Sequence, residues 1–156
     1  MDKVPITPAG HAAIKKELGL LIAYRPKIAQ EIEVAREHGD LRENAEYHAA
    51  KEKQGLNEAR IAELENGISR AEVIDPSKLS GDRIKFGATV ELEDLDEEKE
   101  VTYQLVGPYE ADLSKGTISV TSPVAKALIG REVGDEVRIS TPGGVRSYEV
   151  VDVSWH

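Results

Sequence analysis

Apolar positions along the first seventy residues follow two spacings in turn. From Thr7-Pro8, a hydroxyl followed by proline and hence a helix start, they fall at Ile14, Leu18, Leu21, Ile28, Ile32 and Ala35. The alternating 4-3 step is that of a coiled-coil seam, and Arg25 alone breaks it. One helix is expected from about 8 to 37, with Pro26 as a point of kinking or local irregularity. A second seam runs through Tyr47, Ala50, Gln54, Asn57, Ile61, Leu64, Ile68 and Ala71, predicting a helix from about 41 to 72. Between them Gly39 can take positive φ and stop a helix. With so short a connection the two helices must be antiparallel neighbours, a rod about 45 Å long at 1.5 Å per residue.

Asp75-Pro76 closes the helical pattern, and from Ile84 a period of two replaces it. Strands are expected at 84–93, 100–107, 117–121, 135–141 and 146–154. Ser122-Pro123 opens a short helix that Gly130 ends, Asp94 to Glu100 forms an acidic hairpin turn, and Pro142-Gly143-Gly144 forms a tight one. The reading is an antiparallel two-helix domain over 1–75 and an antiparallel-sheet α+β domain with one short helix over 76–156.

Charge narrows the partners. The 156 residues carry a net charge of −9, with 11 basic against 14 acidic residues up to Asp75 and 9 against 15 beyond it. Neither half has the basic excess of a protein held to nucleic acid by phosphate contacts alone, and 4% aromatic content argues against base stacking as the main mode. Any nucleic acid would be met through a protein partner. The absence of cysteine excludes disulfides and thiolate metal sites and fits a reducing cytoplasm. No stretch has the pattern of a signal peptide or a membrane span.

Candidate chemistry gathers where the helices meet. Asp40 and Glu43 are spaced as an N-cap and its N3 partner, so they fit a capping box; acidic groups also suit a helix N-terminus. Equally, two carboxylates at the end of a rod suit a hard cation such as magnesium, bound weakly unless another molecule completes the site. His38 and His48 flank them but match no helical zinc motif. Arg36, Arg42, Lys51 and Lys53 either form a solvated, ion-paired face or touch the phosphates of an RNA end. The second domain shows no phosphate loop and no Ser/His/Asp set.

The run Ala35-Arg36-Glu37-His38-Gly39-Asp40-Leu41-Arg42-Glu43-Asn44-Ala45-Glu46-Tyr47-His48-Ala49-Ala50-Lys51-Glu52 resembles the tip signature of the bacterial Gre transcript cleavage factors, in their GreA branch. Phe86-Gly87-Ala88-Thr89-Val90, Ile118-Ser119-Val120-Thr121-Ser122-Pro123 and Thr141-Pro142-Gly143-Gly144 are similar to landmarks later in that family. The resemblance implies an FKBP-like second domain that docks at the secondary channel of RNA polymerase, and a coiled coil that enters the channel. It implies a factor that is not itself an enzyme. Such a factor stimulates the polymerase's own cleavage of backtracked RNA, whose 3′ end lies in the channel, and so rescues arrested complexes. Asp40 and Glu43 would hold a magnesium ion shared with the polymerase, with Glu43 also serving an attacking water as general base. Leu41, Asn44 and Tyr47 would support the tip or its docking. A cytoplasmic monomer is expected. Some relatives bind the same channel and inhibit without cleavage, but their tip is altered and more acidic than this one. An isomerase reading from the FKBP-like fold is disfavoured by the few aromatics there: Phe86, Tyr103, Tyr109, Tyr148 and Trp155.

Overall fold

The computed structural model describes residues 2–40 and 43–156. The chain forms two compact units: Ala12–Arg70, and Met1–His11 together with Ala71–His156. The lead-in and the residues that follow the second long helix thus belong to the sheet unit.

In the first unit, α1 (Pro8–Arg36) and α2 (Ala45–Arg70) make the expected pair. Ile14, Ile28 and Ala35 are buried on α1, and Ala50, Ile61 and Leu64 on α2, all of them predicted seam positions. The helices run antiparallel, since Glu17 meets Arg60, Arg25 meets Glu58 and Glu31 meets Lys53. Arg25, the break in the apolar seam, reaches across to Glu58 in a bidentate pair at 2.8 Å on both arms. Asn57, another polar seam residue, donates its amide to the Leu21 carbonyl at 3.1 Å. Arg25 and Asn57 thus each find a partner on the opposite helix, while Gln54 accepts from Lys51 on its own helix. Pro26 lies within α1 and is exposed.

In the second unit, β1 (Val4–Ile6) pairs in parallel with β2 (Ala71–Val73). These residues were expected as a lead-in and as the last turn of the second helix. Three-residue strands held by a partner sixty-seven positions away leave no local periodicity to read. The main sheet has five strands in the order β5 (Thr117–Ser119), β4 (Lys99–Val106), β3 (Ala88–Asp94), β7 (Gly144–Trp155) and β6 (Glu136–Thr141). It was expected to be antiparallel throughout. It is mixed, because β5 pairs in parallel with β4. The chain returns from β4 through a loop and a single 3-10 turn at Leu113–Lys115, which reverses its direction a second time.

Alternation along β3 buries Ala88, Val90, Leu92 and Asp94. Ala88, Val90 and Leu92 form the core with Ile84, Leu105, Ile118, Val137, Ile139 and Val150, joined by Ala125 and Leu128 of α3 (Pro123–Leu128). Ser122 caps α3 through the Ala125 amide. Asp94, 4% exposed, accepts from the amides of Asp96 and Glu97 and pairs with Arg146 at 3.1 Å. The opposite sheet face carries acids in register. Glu100 lies across from Glu93, Glu93 from Glu149, and Glu149 from Glu136.

The lead-in is fastened by one carboxylate. Glu110 accepts from the amides of Thr7 and Gly107, each at 2.9 Å, and from the Thr7 hydroxyl. The Thr7 hydroxyl oxygen in turn accepts from the Gly10 amide and caps α1. A Cβ at Gly107 would lie 2.0 Å from the Pro5 carbonyl oxygen, so only glycine fits there.

Two predictions follow from these contacts. Glu110→Ala leaves the amides of Thr7 and Gly107 without their acceptor and should destabilise the sheet unit by about 2–3 kcal/mol in urea unfolding. Glu110→Asp, too short to reach both, should recover little of it. The second concerns acid. Burial pushes the Asp94 carboxyl up, but the Asp96 and Glu97 amides and Arg146 outweigh it and hold it low. Hydrogen bonds from Ser77, Ser114, Arg25 and Arg60 hold Asp75, Asp112, Glu58 and Glu17 low as well. Their contribution is present above the unfolded range near pH ~4 and is lost as pH falls through the depressed values. Glu91 runs the other way: Glu100 beside it, then burial, raises its carboxyl, so its repulsion is relieved as pH falls. Five groups oppose one, and thermal melting should show stability falling steadily below about pH 4.

Candidate functional site

The site is built from the end of α1 and the start of α2. The carbonyls of Val34 and Ala35 accept from the amides of Glu37 and His38 at 3.2 Å, and Gly39 follows at φ +121°. That is the helix stop expected of this glycine. The second helix does not begin where the spacing placed it. Asp40 and Glu43 are linked through the backbone, Glu43 N–H to Asp40 carbonyl at 3.3 Å, and α2 starts at Ala45. Its cap is Asn44, whose side-chain oxygen accepts from the Tyr47 amide at 3.0 Å. The capping-box reading of Asp40 and Glu43 is therefore corrected: the same i, i+3 relation is used four residues later.

Asn44 does a second thing. Its amide nitrogen donates to the Ala35 carbonyl at the end of α1, which also accepts from the His38 amide. One side chain thus closes both helix ends. Sequence reasoning placed Asn44 near the tip but gave it a supporting role. The available signal was a strong N-cap residue three positions ahead of the first seam residue, Tyr47.

Asp40 and Glu43 are both exposed. They line one open cavity of about 410 Å³ with His38, Asn44, Ala45 and Glu46. His38 Nδ1 lies 3.9 Å from Glu46. Among the described residues no group of three or more His, Cys, Asp or Glu side chains is placed to hold a metal ion. Tyr47 is half-buried and meets the His48 ring edge-on at 5.6 Å. Leu41 and Arg42 lie outside the described residues.

The basic candidates divide. Arg36 is exposed beside the tip, and Lys51 reaches Gln54 at 3.3 Å. Lys53 is drawn inward: it pairs with Glu31 at 3.2 Å and its ammonium sits 5.0 Å from the centre of the Tyr24 ring. Lys27 approaches the same ring at 5.4 Å. Sequence reasoning passed over Lys27 and Tyr24, which are far from the tip along the chain and reach Lys53 only because the helices pair. Next to them, Val34, Ala35, Ala49 and Ala50 floor an open groove of about 570 Å³ between the helices. Among the described residues no helix is long and apolar enough to cross a membrane.

Residues 4–73 match the N-terminal domain model of GreA/GreB transcription elongation factors, and residues 79–155 match the C-terminal one. The chain belongs to the GreA/GreB family of transcription elongation factors. Within it the chain is of the GreA type. It is 60% identical to transcription elongation factor GreA of Methylobacterium sp. (strain 4-46) and 61% identical to that of Methylobacterium nodulans, in both cases over 99% of each chain. The crystal structure of GreA factor homolog 1 from Thermus thermophilus is 32% identical over 97% of this chain and 99% of its own, with a TM-score of 0.45.

The double role of Asn44 is testable. Asn44→Ala removes the cap and the bond to Ala35 and should cost the hairpin about 1–2 kcal/mol, read from the helical signal on melting. Asn44→Asp keeps the cap but sets a carboxylate against the Ala35 carbonyl. It should fall below wild type too, which a residue serving only as a cap would not.

Proposed function

We propose that this factor enters the secondary channel of RNA polymerase with its helical hairpin and stimulates the polymerase's own endonucleolytic cleavage of backtracked RNA. Arrested complexes are thereby returned to elongation. The observation that carries this reading is the pairing of Asp40 and Glu43 in one open cavity at the hairpin end, with neither used as the helix cap. Two exposed carboxylates side by side at the end of the hairpin can be reached by a partner. In this reading the protein is not itself an enzyme: two carboxylates alone bind magnesium weakly, and the polymerase active centre would supply the remaining ligands.

The donor set suits magnesium. Both groups are hard oxygen donors, and magnesium usually takes one or two carboxylates and keeps its waters otherwise. Asp40 and Glu43 would hold the ion jointly with the polymerase, and when bound it would supply Lewis acidity at the reacting phosphate. Asp40 serves mainly as a ligand. Glu43 orients the attacking water and takes its proton on a carboxylate oxygen. Asn44 keeps both acids at the tip by fixing the two helix ends. The net charge of −9 is compatible with this, because the main contact is with protein and only the RNA 3′ end comes near. The factor works as a cytoplasmic monomer.

The test is RNA cleavage in backtracked elongation complexes. Asp40→Asn should lower stimulation about 100-fold or more, and Glu43→Gln by about 10²–10⁴. Since Asn44 is the cap, melting and polymerase binding should stay at wild-type levels in both. Cleavage at the wild-type rate with Asp40→Asn would overturn the reading. Calorimetric titration of the free protein with magnesium should show no saturable binding at millimolar concentrations; tight binding would exclude a shared site.

A further inference from the structure

A second pattern lies on an outer face of the hairpin, beside the buried seam. On α1 it is Tyr24, Lys27, Glu31 and Val34, at steps of three, four and three. Those steps keep all four on one side of the helix. On α2 it is Glu46, Ala49, Lys53, Leu56 and Arg60, again at steps of three and four. The two rows share a face, since Lys27 and Lys53 both stand over the Tyr24 ring and Lys53 pairs with Glu31. Two apolar features stand apart on it. Leu56 is a knob, 67% exposed. Nearer the tip, Val34 and Ala49 border the open groove of about 570 Å³.

Reversed, the pattern complements itself. From either end the α1 row runs apolar, charged, charged, apolar with the same steps, and its two charges are opposite. A second copy laid antiparallel on this face, with a two-fold axis midway between Lys27 and Glu31, sets Lys27 against Glu31 of the other copy and Tyr24 against Val34. On α2 the same operation sets Leu56 against Ala49 at the groove, and Arg60 against Glu46. Lys53 comes near the axis, where Glu31 of its own chain holds it at 3.2 Å. Each contact of one residue with another is made a second time with the roles exchanged, which is what an isologous pair requires.

We infer that this face binds a second copy of the same chain, antiparallel, with Leu56 of each copy seated at the alanine groove of the other. From Glu46 to Arg60 is about 21 Å of helix, and two adjacent helices are about 20 Å across, so about 400 Å² of footprint is covered on each copy. Interfaces of this size are weak and transient. The single chain therefore remains the working form at low concentration. The pair is a reserve in which the face beside the tip is covered.

The test is sedimentation equilibrium of the full chain from micromolar to millimolar concentration. Wild type should pair reversibly. Lys27→Glu and Glu31→Lys each bring like charges together twice in the pair, and each should weaken self-association about tenfold or more. Mixed in equal amounts, the two variants should pair with each other, because each supplies the charge that the other lacks. Leu56→Glu changes an exposed residue, so it should leave melting unchanged while abolishing the pair. The chain has no cysteine, so the register can be read directly by introducing two. Ala49→Cys with Leu56→Cys should give a covalent dimer on oxidation. Within one chain the two positions are about 10 Å apart, too far for a bond. A wild type that stays single at millimolar concentration overturns the inference. So does pairing that Leu56→Glu leaves intact, or an equal mixture of Lys27→Glu and Glu31→Lys that stays single.

Discussion

Two hydrogen bonds from one amide hold the functional end together. The Asn44 side chain accepts from the Tyr47 amide of α2 and donates to the Ala35 carbonyl of α1, so one side chain ties the two helix ends together. A carboxylate at this position could accept but not donate; a serine could not span both ends. The requirement for an amide is thus a matter of polarity as much as of size. Everything proposed for Asp40 and Glu43 depends on it, because their usefulness to a partner comes from their not being the cap.

The rest of the hairpin divides its work by depth. Ile28, Ile61 and Leu64 supply the apolar burial. The ion pairs across the faces are half-exposed and of the kind worth no more than about 1 kcal/mol each. Their value is in register: Glu17–Arg60, Arg25–Glu58 and Glu31–Lys53 are satisfied together in one alignment of the helices. A seam of small residues near the tip would otherwise discriminate poorly between neighbouring alignments.

Much of this was legible in the sequence. The 4-3 spacing marked the seam, and the buried residues fall on it apart from Gly67. Gly39 stopped the first helix, and Ser122-Pro123 with Gly130 framed the short one. What escaped depends on contacts made at a distance. The β1–β2 pairing joins segments too short to show alternation, and the parallel β5 follows from the path of a loop. The cap was misplaced because Gly39-Asp40 reads as a stop followed by a start. The reversal takes several more residues, and only the donor contact to Ala35 identifies Asn44. Lys27 and Tyr24 were invisible as site residues because their relation to Lys53 exists only across the helix pair.

The row of glutamates on the open sheet face has a consequence for ionic strength. Glu100, Glu93, Glu149 and Glu136 stand opposite one another across four strands, and like charges so placed repel. Dissolved ions screen that repulsion over about 8 Å at physiological salt, and more closely as salt rises. The same screening weakens the exposed pairs of the hairpin, which are attractive. On that glutamate row added salt is stabilising, whereas across the hairpin pairs it is destabilising, so one chain carries electrostatic terms of opposite sign in two places.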